Sequence, residues 1–214
     1  MAKQIEGVYE NIIACATKEF LNKGYADASL RTIATEAHTT TGSIYTRFGD
    51  KEGLFEAIVG KHYDKIIEMY KAAQDEFASL PEESQPDNMA SISGNCMYDG
   101  LLYCYDNLDV FKLILLKSEG TKFSHMIDEM VEIEAEATHK YLNVLKRLGK
   151  PSPKIDTKLE HMIITGMFNT YFELIIHEMP IEDAKLYLKE MREFYTAAVS
   201  YTHLRAHETL SDLV

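Results

Sequence analysis

Nowhere does the 214-residue sequence carry an apolar run near the ~20 residues that span a bilayer. Met1 is not followed by a cationic and then apolar leader either, so a cytoplasmic chain with no membrane partner is expected. Cysteine is scarce and odd in number. Cys15, Cys96 and Cys104 lack paired metal-ligand spacing and read as reduced packing thiols rather than a disulfide framework. Also missing are a phosphate-binding glycine loop and a Ser/His/Asp arrangement with a nucleophile elbow. No catalytic residue, metal ligand or cofactor is therefore expected, and no enzyme. Basic charge is thin as well: 22 Lys and Arg stand against 34 Asp and Glu, a net charge of −12. That balance argues at first against a nucleic-acid partner, because neutralising phosphates dominates such affinity. Its distribution softens the objection, since residues 1–60 carry only −2 of it and residues 61–214 carry −10.

What is present is 46% hydrophobic residues, enough for a buried core, arranged with helical periodicity almost throughout. Ile5, Val8, Ile12, Ala16 and Phe20 form the stripe of a first helix from about Lys3 to Asn22, with Gly24 placed to end it in a left-handed cap. Leu30, Ile33, Ala34 and Ala37 mark a second, short helix, for which Ser29 is a good N-cap. A polar segment, His38 to Gly42, interrupts it. A third helix of about two turns then runs from Thr40 or Thr41 to Arg47. Only Ile44 and Phe48 anchor that third helix, and its other face offers hydroxyls, a phenol and a guanidinium. A helix so short needs neighbours to hold it. Presenting polar groups outward while so held is how a helix-turn-helix recognition helix is built.

The residues around this segment resemble the N-terminal DNA-binding domain of the TetR/AcrR family of bacterial transcriptional regulators. The resemblance is carried by Phe20-Leu21-Asn22-Lys23-Gly24-Tyr25, by Leu30-Arg31-Thr32-Ile33-Ala34 with Ala37, by Gly42-Ser43-Ile44-Tyr45-Thr46-Arg47-Phe48, and by Asp50-Lys51-Glu52-Gly53-Leu54-Phe55. It covers about Ile5 to Val59. One departure lies in the turn, where the family has Gly-Val and this chain has His38-Thr39, at a position that asks for positive φ.

The resemblance implies an all-α chain of about nine helices: a three-helix helix-turn-helix domain over residues 1–60, then a linking helix and a helical effector-binding and dimerisation bundle over residues 61–198. It also implies a homodimer that binds a palindromic operator in double-stranded DNA, most simply as a repressor released by a small-molecule effector. The DNA-binding candidates are Ser29, Arg31, Thr40, Thr41, Gly42, Ser43, Tyr45, Thr46, Arg47 and Lys51. Of these, Arg31, Lys51 and the amides near Thr40 are expected on phosphates, Tyr45 on the backbone, and Thr41 to Ser43, Thr46 and Arg47 toward the major groove.

In the second half, Asp50 caps a fourth helix running to about Phe77, and Leu80-Pro81 to Pro86-Asp87 reads as a loop. Further helices are expected over Met89–Asn107, Val110–Lys117, Lys122–Leu148 and Ile155–Glu178, with a last one starting at Pro180. The final pair has more apolar surface than one core needs, which suits a dimer through a four-helix bundle. Tyr103, His125, Tyr141 and His161 are polar groups on apolar helices and are the candidate effector contacts. Met126, Met130, Met162 and Met167 suit an adaptable pocket wall.

Two rival readings compete. The sequence Glu136-Ala137-Thr138-His139 is a Glu-x-x-His of the kind found in carboxylate-bridged metal bundles. It has no second copy, and the run Glu129 to Glu136 reads more simply as a solvated face. The other rival is an effector-binding module whose helix-turn-helix has decayed. Residues 199–214 break the pattern of the last helix and read as a frame translation of a transposon-type sequencing adapter, so fold reasoning stops near Ala198.

Overall fold

The computed structural model describes residues 2–152 and 155–205, with side chains described for residues 7–152 and 155–195. All regular structure among these residues is helical, and α-helices number nine. The adapter-like segment falls on backbone up to Arg205 and otherwise lies outside the described residues.

Contacts divide the chain into two compact units, the first built from Met1–Ile67 and Tyr103–Met126. Its helix α1 spans Ala2–Asp27, broken at Gly24. Gly24 has φ 76° and ψ 167°, so it is not the left-handed cap expected but an extended positive-φ residue open only to glycine. The chain turns there, and the Tyr25 amide donates to the Lys117 carbonyl at 2.8 Å. Helices α2 (Leu30–Glu36) and α3 (Thr41–Phe48) follow, then α4 (Lys51–Ser79). Helix α6 (Leu108–Leu116) packs on α1, and Phe111, Leu113 and Ile114 are buried. Phe20, Phe55 and Tyr25 meet edge-on or stacked, with Phe55 also 6.0 Å from Phe123. These rings form the core beneath the helix-turn-helix.

The second unit comprises Glu68–Leu102 and Ile127–Val214. It holds the C-terminal part of α4, most of α5 (Gln85–Asp106) and nearly all of α7 (Met126–Arg147), with α8 (Thr157–Ile176) and α9 (Ile181–Arg205). The expected loop over residues 80–87 is shorter. Glu82–Ser84 forms a 3₁₀ turn and α5 starts at Gln85, with Pro86 in a first turn that leaves amides unbonded in any case. A 3₁₀ turn, Lys122–His125, precedes α7 where a single continuous helix was expected. Phe168, Tyr171, Phe172, Leu174 and Ile175 on α8, with Ala184 and Leu188 on α9, supply much of the core.

Candidate nucleic-acid interface

Each end of the helix-turn-helix is locked by a local bond. The Ser29 hydroxyl accepts from the Thr32 amide at 3.4 Å, and the Ser29 amide donates to the Glu19 carboxylate at 3.1 Å. Thr40 caps α3, its hydroxyl accepting from the Ser43 amide at 3.1 Å. Asp50 does the same for α4, accepting from Gly53 at 2.7 Å. Between α2 and α3 the expected positive φ falls on His38, at 52°. The left-handed conformation costs a residue with a Cβ about 1 kcal/mol, and here the buried neighbours Ala37 and Ile44 hold the turn in place.

Ile44 is fully buried, which fixes the rotation of α3 and turns Tyr45, Thr46 and Arg47 outward. The Tyr45 ring is 53% exposed. The Thr46 hydroxyl donates to the Gly42 carbonyl at 2.8 Å, which leaves its methyl and oxygen lone pairs outward. Arg47 folds along its own helix, Nη1 donating to Ser43 Oγ at 2.5 Å and to the Ser43 carbonyl at 3.2 Å. Arg31 and His38 are exposed beside α3's neighbour. Two glycines play opposite roles. A Cβ at Gly53 would lie 1.9 Å from the Phe48 carbonyl oxygen, whereas one at Gly42 would meet only Thr40 Oγ1 at 3.7 Å. The fold requires Gly53, and nothing within the protein requires Gly42.

Lys51 is placed differently from the outward phosphate contact expected. Its ammonium donates to the carbonyls of Ala26 (2.8 Å) and Ala28 (3.0 Å) and lies 4.9 Å over the Tyr25 ring. It ties the end of α1 to the start of α4.

The four effector candidates are not brought together. Tyr103 and His125 belong to the first unit, where the Tyr103 hydroxyl bonds His62 Nδ1 at 2.8 Å. His161 is exposed on α8, and Tyr141 alone lines a cavity. That cavity, about 380 Å³, is lined by α4, α5, α7, α8 and α9 within the second unit. Of the methionines, Met167 lines it, Met126 and Met130 are buried elsewhere, and Met162 is exposed. A larger depression of about 560 Å³ between α4 and α7 has a charged rim closed by ion pairs, such as Arg147 to Glu82 at 2.5 Å. The more apolar of the two is the better ligand site.

The sequence reading missed Glu134, which lines this cavity rather than facing solvent with its acidic neighbours. Gln74 Nε2 donates to its carboxylate at 2.8 Å, and so does the Tyr70 hydroxyl. Burial pushes its carboxyl above the ordinary range against the pull of these donors. Glu136 instead pairs with Lys140 at 2.7 Å in solvent, and His139 bonds Glu160 at 2.7 Å. Among the described residues no group of three His, Cys, Asp or Glu side chains is placed to hold a metal.

Residues 12–58 match the family model for bacterial regulatory proteins of the tetR family, a stretch from α1 to α4. No curated protein matches the chain in sequence. Among solved structures the chain is similar to a complex of SmeT with triclosan, at 16% identity and a TM-score of 0.60 over 89% of this chain and 90% of that one. It is also similar to FadR from Bacillus subtilis in complex with stearoyl-CoA, at 14% identity and 0.55 over 86% and 96%. A third is a protein of Mesorhizobium loti assigned to the TetR family, at 17% identity and 0.51 over 91% and 97%. At such identities the likeness is one of fold. Residues 12–58 are thus similar to the helix-turn-helix of tetR-family regulators, and the all-helical fold is the one seen in solved structures of that family.

Proposed function

We propose that the protein is a dimeric repressor that binds a palindromic operator and is released by a small-molecule effector. The observation that carries the DNA-binding half is Gly42, a side chain missing from the first turn of α3 at a point where the fold has room for one. Around it, Thr41, Ser43, Thr46 and Arg47 are read as facing bases, and Ser29, Arg31, Thr40 and Tyr45 as facing the backbone. Lys51 contributes by holding the helices in register.

Dimerisation is supported by apolar side chains left outward on α8 and α9: Leu159 (50% exposed), Met162 (68%), Ile163, Leu186, Tyr187 and Phe194 (69%). A patch of this kind marks an association surface, and a two-fold dimer presents recognition helices to half-sites ~34–36 Å apart. Effector release is supported by the largely apolar cavity of the second unit. Tyr70, Gln74 and Phe77 in its wall share α4 with Asp50-capped Gly53, so a ligand that shifts this helix biases the helix-turn-helix. Two of the structural relatives carry triclosan and stearoyl-CoA in their complexes.

The test is a gel-shift titration against DNA from upstream of the protein's own gene, at two salt concentrations, with Tyr45→Ala alongside. The expected result is a shifted band that withstands non-specific competitor and is lost in the variant for every DNA sequence. A folded, dimeric protein that shifts nothing at low salt overturns the proposal and leaves the decayed-motif reading standing.

A further inference from the structure

We infer that the ligand of the second unit's cavity is an amphipathic organic cation, an ammonium on an aromatic or aliphatic body, whose charge settles beside Glu134. The inference rests on reading that cavity as the effector site and adds the class of ligand.

The cavity wall is mostly apolar, and its charged residues are one acidic and one basic, Glu134 and Arg192. The two are not equivalent. Arg192 is partly buried, and its guanidinium lies across Gly94 and donates to the Ala90 carbonyl in an exposed contact, so water screens its field and α5 holds it. Glu134 is partly buried as well, but its bonds lie within the wall rather than in an exposed contact. Its carboxylate accepts from Tyr70 and Gln74 and is further held by Thr138, all neutral donors. No cation is among them. Neutral donors steady a buried carboxylate without cancelling its charge, and the Glu160 carboxylate nearby makes that charge costlier. A ligand cation removes the imbalance that none of the donors to Glu134 among the described residues removes.

The rest of the wall suits the same guest. Tyr70, Phe77, Tyr141 and Tyr195 bring aromatic rings to it, and ring faces attract cations. Met97 and Met167 supply an adaptable apolar surface for the remainder of the molecule.

The experiment is calorimetric titration of the full chain, without DNA, with three probes of one body and different charge: 4-phenylbutyltrimethylammonium, 4-phenylbutanol and 4-phenylbutyrate. The cation is expected to bind roughly tenfold or more tightly than the alcohol. Glu134→Gln is expected to erase that gap and keep the alcohol's affinity, which shows the cavity intact. Equal affinities in the wild type overturn the inference. So do a gap that survives Glu134→Gln, tightest binding of the butyrate with its loss in Arg192→Gln, or no binding of any probe. A gel shift with and without the cation separates the two readings. A chain that takes the cation but shifts no DNA fails as a regulator alone, and one that shifts DNA but ignores ligand charge fails this inference alone.

Discussion

Adding one methyl group at residue 42 should separate DNA binding from folding. The new Cβ of Gly42→Ala would lie 3.7 Å from Thr40 Oγ1, ordinary van der Waals contact, with nothing else within 4 Å. Residue 42 is in the first turn of α3 and takes helical dihedrals, so alanine also removes glycine's excess unfolded-state freedom. Free stability should rise by up to about 1 kcal/mol, a melting temperature higher by roughly 2–4 °C for a chain of this size. If a phosphate or base edge occupies the space beside that backbone, the same methyl group intrudes on it. Operator affinity should then fall about tenfold or more, some 1.4 kcal/mol. Gly53→Ala is the contrast. Its Cβ would lie 1.9 Å from the Phe48 carbonyl oxygen and 3.1 Å from the Phe48 carbonyl carbon, both backbone atoms that cannot swing aside. That variant should lose about 3 kcal/mol or more. Thermal unfolding followed by circular dichroism, beside gel shifts on the same preparations, reads both effects. Wild-type DNA affinity in Gly42→Ala would refute the argument that its missing side chain serves the partner. A lower melting temperature there would refute the claim that the fold has room.

Arg47→Ala should relax preference at one base position by roughly 1–3 kcal/mol, read by competition with single-base operator variants; an equal loss on every sequence makes Arg47 a backbone contact instead. Lys51→Met should lower stability by about 1–2 kcal/mol, because two bonds to backbone carbonyls go while the group is only half-buried. An unchanged melting temperature with a shallower salt dependence of DNA binding would return Lys51 to the phosphates. Acidification should weaken the first unit through His62, whose pKa burial and Lys61 lower from 6.5. The folded state then binds fewer protons than the unfolded one, so stability is full above pH 6.5 and declines as pH falls below it. His62→Gln should flatten that part of a melting-temperature profile, and an unaltered profile would remove His62 as the cause.

The helix-turn-helix is legible because its signals are local. Ser29, Thr40 and Asp50 each bond the amide three residues on, and residues this close in sequence need no tertiary information to find each other. Gly24 shows the limit of such reading. Its positive φ was legible, but its ψ of 167° depends on the Tyr25 amide meeting Lys117, some ninety residues away. Lys51 shows the same limit more sharply, since a lysine in a helix's first turn near a DNA-binding face reads as a phosphate contact until the carbonyls of residues 26 and 28 are seen to surround it.

Glu134 was hidden for a different reason. Composition along α7 is dominated by Glu129, Glu132, Glu134 and Glu136, and a run of carboxylates averages to a solvated face. Helical phase separates them. Met130 and Val131 are buried, Leu145 is buried, and Glu134 and Thr138 fall on the stripe that joins them at steps of three and four. An acidic residue on an apolar stripe should be counted against the core face, where a charge needs a partner, rather than with its sequence neighbours. The same phase sends Glu136 outward to Lys140, which is why Glu136 and His139, three apart on one helix, do not share a partner. One helix thus carries the residue that dissolves the metal-bundle reading and the residue that gives the cavity its charge, and phase along the helix, not residue type, distinguishes them.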